Sequence, residues 1–255
     1  SWMSTGTWEV DTKRFPTSLK AISDYAHSRN GKTLLWFEPE SVRVSNLDDF
    51  VNNYGFSKSW LMPNSMWGNN TYLADMGNPD YRNWLIERVK KVMEKGEIDL
   101  YRQDFNVRPT ESWIANDVPG KYGLTENSFC MGYLDYYDCL LKWNPQMFID
   151  SCASGGNRND LETMRRAVVF HRSDRGYGDP DLKQSMYMEF SKWIPFSGTV
   201  LSAFEGNRNV DAYNIRSTYG GQVMNIYYPY ALTETDWDIM YQCQKEWREV
   251  SQYLY

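Results

Sequence analysis

The feature that most constrains what this chain can fold into is an alternation. Segments with apolar residues three and four apart give way, repeatedly, to short continuous apolar runs that stop at polar residues. Phe15-Pro16 followed by Leu19, Ile22, Tyr25 and Ala26 has the spacing of a helix packed on one face, ending near Asn30-Gly31. The run 33–37 is too short for a helix and reads as a buried strand, which stops at Glu38-Pro39-Glu40. A helix over 79–94 follows, with Asn78 as N-cap and Pro79 at the first helical position, and then Gly96 and a strand over 98–105. The same pattern predicts helix 127–143 before strand 146–149 and helix 160–166 before strand 167–170. Helix 181–193 then precedes strand 199–204, helix 214–219 precedes strand 223–228, and 234–255 forms a final helix.

Six strands alternating with helices predict an α/β fold: a parallel sheet with helices outside and a site at the C-terminal ends of the strands. Glu38 and Glu40, Asp104 and Asn106, Asp150 and Cys152, and Arg172 and Asp174 all stand just after a strand, so they are expected to converge on one pocket. A doubly wound nucleotide fold usually carries Gly-x-Gly-x-x-Gly, and Gly155-Gly156 is the nearest approach to it. A length of 255 residues suits one (β/α)8 TIM barrel, and no repeat, low-complexity tract or linker divides the chain. Residues 1–255 therefore read as one catalytic (β/α) barrel domain. A closed barrel needs eight strands, so about two, the first two, are expected upstream of Ser1, leaving the domain incomplete at its N-terminus.

Composition narrows the chemistry. A net charge of -6 without a Lys/Arg-rich run argues against a nucleic-acid partner, which would need cations to displace counterions from phosphate. No stretch of 18 apolar residues exists, so no membrane partner is expected. Cys130, Cys139, Cys152 and Cys243 lack Cys-x-x-Cys spacing, and His27 and His171 are too few for a histidine metal site or a Ser-His-Asp triad. No metal and no organic cofactor is expected, which leaves carboxylates as the candidates for chemistry. Aromatic residues make up 16% of the chain, which suits either a sugar-stacking platform or an aromatic core. Trp2, Trp8, Trp36, Trp60 and Trp67 fall in or beside loops before the second helix-strand unit, as a platform would require.

Two carboxylates stand out. Asp104 ends a strand with Arg102 two residues earlier on the same side, an arrangement that keeps a nucleophilic carboxylate ionised, although the six residues by themselves favour an ion pair that only holds a loop. Asp174, two strands later, repeats it with Arg172, and alone it reads equally well as a turn cap before Gly176. Two carboxylates facing one pocket suit glycoside hydrolysis, one attacking the anomeric carbon and the other protonating the leaving oxygen. Between them, the small residues of 150–160 allow backbone N–H groups to approach a ligand, or form a tight turn with Asn159 or Asp160 as helix cap. Glu38-Pro39-Glu40 offers two more carboxylates on a fixed loop, where a supporting role is expected rather than chemistry.

Together, Gly6-Thr7-Trp8 with Phe15-Pro16, Trp36-Phe37-Glu38-Pro39-Glu40, Arg102-Gln103-Asp104-Phe105-Asn106, the Cys152-Ala153-Ser154-Gly155-Gly156 loop through Asp160, and Ser173-Asp174 resemble glycoside hydrolase family 36, the melibiase-like α-galactosidases of clan D. The resemblance runs in order over nearly the whole chain. It implies a retaining exo-glycosidase that releases terminal α-linked galactose through a covalent glycosyl-enzyme, with Asp104 as nucleophile and Asp174 as acid/base. By the same resemblance Trp36, Arg102, Cys152, Gly155 and Arg172 bind substrate, with Cys152 and Gly155 at the sugar 2-hydroxyl. An α-galactoside oligosaccharide or glycan is the implied partner, and homo-oligomerisation stays open. The sequence departs from the family in having Arg102 where a Lys is usual, and in offering no clear match near 69–73 to an Arg before the preceding helix. The Asp-Asp-Gly-Trp segment that holds the 4- and 6-hydroxyls is expected upstream. Two alternatives remain: α-N-acetylgalactosamine or galactosamine as the sugar, and a barrel remnant that binds sugar without hydrolysing it.

Overall fold

The structure, a computed structural model, describes residues 5–68, 71–175, 179–194, 197–203, 210–221, 223–227 and 232–253. They fall into two units, Ser1–Asp150 with Asp160–Ala167, and Ser151–Asn159 with Val168–Tyr255.

In the first unit, α1 (Lys20–His27) is shorter than its apolar periodicity predicts, because Ser18 at φ 95° breaks the chain out of helical geometry. β1 (Leu34–Phe37) follows, then β2 (Ser41–Arg43) and α2 (Leu47–Tyr54). Asn46 caps α2 by accepting the N–H groups of Asp48 and Asp49, and Gly55 at φ 61° ends it. β3 (Leu61–Asn64) and β4 (Thr71–Ala74) lead into α3 (Pro79–Gly96). There Asn78 Oδ1 accepts from the N–H groups of Asp80 and Tyr81, and Pro79 opens the helix as predicted. β5 (Leu100–Gln103), α4 (Thr110–Asn116), α5 (Leu124–Trp143), β6 (Ile149–Ser151) and α6 (Leu161–Met164) complete the series.

β1 and β5 pair in parallel, Trp36 opposite Arg102 and Phe37 opposite Gln103, and β6 lies on the other side of β5. Side chains alternate along such a pair, so Trp36 and Arg102 share one face while Tyr101 and Gln103 are buried on the other. A second sheet, antiparallel in the order β2-β4-β3, has no counterpart in the predicted pattern. Its strands carry no alternation to detect: β2 is three residues, all buried, and β3 contains Pro63, a residue with no N–H to donate, which β3 tolerates as an edge strand. The first residues of the predicted 146–149 strand are not in the strand. Asn144 draws the chain into a turn, accepting the N–H of Gln146 on its side chain and that of Met147 on its carbonyl, and the strand starts at Ile149.

Tyr81, Leu85 and Val89 of α3, Tyr101 of β5, and Phe129, Tyr136, Tyr137 and Leu140 of α5 are fully buried. Burial of each large apolar side chain contributes about 1.5–3 kcal/mol. Much of the aromatic surplus is therefore core: Phe37 stacks on Tyr101 at 5.1 Å, and Phe56 meets Trp60, Tyr81 and Trp84. Trp60 belongs to this packing, and Trp2 lies outside the described residues. A buried hydrogen-bonded chain crosses the core: Tyr136 donates to Tyr101, Tyr101 to Gln103, and Gln103 to the Glu40 carboxylate. Tyr81 donates to the Pro39 carbonyl, so the Glu38-Pro39-Glu40 turn is tied to both a helix and a strand.

The second unit contains α7 (Pro180–Phe190), β7 (Thr199–Ala203), α8 (Ala212–Arg216), β8 (Val223–Tyr227) and α9 (Glu234–Ser251). Asp179, Asp211 and Thr233 cap the three helices, the last in a reciprocal capping box with Asp236. β7 and β8 pair in parallel from Thr199 opposite Val223 to Ala203 opposite Tyr227; Phe204 and Tyr228, predicted to extend them, lie outside the described residues, as do Gly176 and the last two of the predicted final helix. The predicted strand 167–170 forms no ladder. Val168 accepts the Ser151 N–H, and Phe170 and Arg172 bond to Gly198, so among the described residues the stretch is joined only by isolated bridges. The chain is thus an α/β protein in which five of the six predicted strands form, and among the described residues no ladder closes a barrel. No helix among these residues is long and apolar enough to cross a membrane.

Candidate active site

Asp104 follows β5 directly and keeps the face set by the strand's alternation, the face of Trp36 and Arg102. Its Oδ2 accepts from Trp36 Nε1 at 3.2 Å and its Oδ1 from the Phe105 N–H at 2.8 Å. Its own N–H donates to the Phe37 carbonyl at 2.8 Å, which continues the β1–β5 ladder by one step. The carboxylate is half-buried and oriented by a donor on each oxygen. Arg102 is bound to Asp150 at the end of β6, a carboxylate that is itself buried. Trp36 packs edge-on against Trp8 at 6.2 Å.

In the second unit, the loop after β6 turns tightly: Ala153 N–H donates to the Gly155 carbonyl, with Ser154 at φ 44° and Gly155 at φ 80°. A side chain at Gly155 would come within 2.5 Å of the Asp174 amide nitrogen, and one at Gly156 within 2.3 Å of the Arg172 carbonyl. Both glycines are thus required by the close passage of 172–174. Cys152 is buried beside them in the chain; in the first unit, Asp160 caps α6, one of the two caps that the sequence offers. Asp174 is about half exposed, and its Oδ1 lies 3.1 Å from His171 Nε2. Arg172 is buried: its Nε and Nη2 donate to the carbonyls of Gly198 and Ser197, and its guanidinium stands 5.4 Å from the Tyr187 ring centre.

Three partners escaped the sequence reading. Asp150 was visible as a polar strand end but not as the partner of Arg102, because the pairing crosses 48 residues. His171 stands three residues before Asp174, a spacing that could have suggested the contact. Arg43, paired with Glu38 at 2.9 Å, sits on a strand that the pattern did not predict. Among the described residues, no three His, Cys, Asp or Glu side chains are grouped to hold a metal ion.

Comparison with known proteins identifies relatives of this arrangement. The family model described as Melibiase matches residues 2–188, which include both Asp104 and Asp174. The α-galactosidase Mel36A of Lactobacillus acidophilus is 29% identical over 160 residues, covering 62% of this chain and 21% of that protein. Among solved structures, the GH36 α-galactosidase AgaB of Geobacillus stearothermophilus superposes with a TM-score of 0.81 at 21% identity, over 97% of this chain and 35% of that one. A variant of AgaA from the same organism, solved in complex with stachyose, gives 0.81 at 20% identity over 98% of this chain and 35% of that one. The chain spans about a fifth of the length of the curated relatives it matches.

Proposed function

From the premise that this chain belongs to the melibiase family, we propose that it carries the catalytic residues of a retaining α-galactosidase acting on terminal α-linked galactose. The observation that carries the reading is the Asp104 carboxylate, fixed at the end of β5 by Trp36 and the Phe105 N–H inside the segment that the family model matches. The fold we propose for the whole enzyme is a (β/α)8 barrel to which residues 1–255 contribute as one catalytic domain, with the remaining strands supplied by other parts of the polypeptide.

In this reading Asp104 attacks the anomeric carbon while protonated Asp174 gives its proton to the glycosidic oxygen; the C–O bond breaks and a galactosyl ester forms on Asp104. Water then attacks the same carbon while Asp174 accepts its proton; the bond from that carbon to Asp104 breaks, galactose leaves with net retention and the Asp104 carboxylate is restored. The hydrogen bonds to Asp104 hold its carboxylate in one orientation, as a nucleophile needs. Trp36, Arg102, Cys152, Gly155 and Arg172 bind the substrate, with Trp36 lining the galactose site and Cys152 and Gly155 meeting the 2-hydroxyl. No metal or organic cofactor takes part in the proposed chemistry. The stachyose bound to the AgaA variant supports an α-galactoside oligosaccharide as the substrate class.

The test is a comparison of nitrophenyl α-galactoside and α-N-acetylgalactosaminide with the full-length protein, following the first-formed sugar by proton NMR. The reading predicts faster turnover of the galactoside and release of the α-anomer first. A preference for the acetylated sugar would move the substrate to the galactosamine series, and release of the β-anomer would overturn the retaining mechanism.

A further inference from the structure

Glu38 lies one residue beyond β1, and 0% of its surface reaches solvent. Its Oε1 accepts from Arg43 Nη2 on β2 at 2.9 Å and from the Asn106 N–H at 3.0 Å. Asn106 stands two residues after Asp104, whose N–H donates to the Phe37 carbonyl. The strap Asp104-Phe105-Asn106 is therefore pinned at both ends to consecutive residues, Phe37 and Glu38. Among the described residues, Glu38 Oε2 is buried without a hydrogen-bond partner, a situation that penalises the charged carboxylate.

We propose that Glu38 is a positioning residue for Asp104: its ionised carboxylate holds the strap that presents Asp104, and its protonation slackens that hold. The inference rests on the assignment of Asp104 as nucleophile. A charge-assisted hydrogen bond is roughly twice as strong as a neutral one, so protonating Glu38 weakens its grip on both Asn106 and Arg43. The groups facing Glu38 are Arg43 from β2, Asp104 from the strap and Glu40 from its own turn. Burial pushes its pKa up, Arg43 and the Asn106 N–H pull it down, Asp104 and Glu40 push it up, and the result is about 7. The switch from slack to held thus falls in the neutral range.

The experiment uses the full-length protein in an Asp174→Ala background with an aryl α-galactoside whose phenol is acidic enough to leave unprotonated, so that Asp174 adds nothing to the pH profile. With Glu38 intact, kcat/KM is expected to fall as the pH drops through about 7. Glu38→Gln keeps shape and one acceptor but cannot titrate. It is expected to lose that limb and, at pH 8, to be about tenfold lower in kcat/KM, the effect of weakening the charged hydrogen bonds that Glu38 accepts. An unchanged limb and rate in Glu38→Gln would overturn the proposal. Should that variant fail to fold, Glu38→Asp keeps the titration while withdrawing the carboxyl by one methylene; it should retain an acid limb at reduced kcat/KM, and a kcat/KM equal to that of the protein with Glu38 intact would overturn the proposal. Asp104→Ala, assayed with Asp174 intact, separates the two claims. Retained turnover removes the nucleophile assignment, whereas an inactive Asp104→Ala beside a Glu38→Gln indistinguishable from its parent removes only the positioning role.

Discussion

Asp104 owes its orientation to two donors of different kinds, one a side chain and one the backbone of its neighbour. Only the first can be removed by substitution. Trp36→Phe keeps the ring that packs on Trp8 and deletes the indole N–H. Losing a hydrogen bond to a charged group costs about 1.5–3 kcal/mol, so kcat on a nitrophenyl α-galactoside should fall by roughly ten- to a hundredfold. Equal activity would show that Phe105 alone suffices. Gly155 is constrained in another way. Its φ of 80° and the 2.5 Å separation between a Cβ there and the Asp174 nitrogen make Gly155→Ala strained and sterically blocked. The expected loss is about 1–3 kcal/mol of stability, read as a lowered Tm, with reduced activity because the collision is with Asp174 itself. The small-residue loop was legible from sequence; the reason for its glycines was not, because the chain that crowds them lies about twenty residues away.

At the scale of elements, legibility followed the strength of local signals. α3 was readable because Asn78 and Pro79 mark its start and apolar residues recur along one face; Asn78→Ala should remove about 1 kcal/mol of stability, detectable as a lower Tm with activity per folded molecule unchanged. β2, β3 and β4 were unreadable, since short buried strands with a proline carry no periodicity and their pairing is decided by residues distant in sequence. The junction of α1, β1 and β5 offers a pH test. Asp99 accepts the Thr33 N–H at 2.7 Å and faces His27 Nε2 at 2.9 Å and Lys32 Nζ at 3.3 Å. Burial pushes its pKa up, but these partners outweigh it and hold the carboxyl at about 2, below its ordinary 3.8. The folded chain therefore binds this proton less readily than the unfolded one. The stabilisation is complete above the ordinary value and disappears as the pH falls through about 2. Asp99→Asn should lower Tm at pH 6, and the gap to the unsubstituted protein should narrow between pH 4 and 2. A constant gap would contradict the role of the ionised form.

For the whole molecule, helix-strand alternation identified the α/β class, and ordered motifs identified the family, over a chain that spans about a fifth of its curated relatives. The alternation was informative because a strand buried on both faces and a helix buried on one leave different apolar patterns in sequence. What it could not convey was the network behind the motifs: Arg43 under Glu38, Asp150 under Arg102, and the tyrosine chain running to Glu40. These pairings are polar, and those of Arg102 with Asp150, Gln103 with Glu40 and Tyr136 with Tyr101 span 48, 63 and 35 residues, so they leave no periodic trace, yet they fix the loops from which the proposed chemistry is performed. The central claim is that Asp104 becomes covalently attached to the sugar. The most direct measurement is peptide mapping by mass spectrometry after the full-length protein reacts with an activated fluorosugar of the α-galacto configuration. The account predicts a single fluorosugar adduct on Asp104, abolished in Asp104→Ala; an adduct on another carboxylate, or turnover of substrate with no adduct formed, would contradict it.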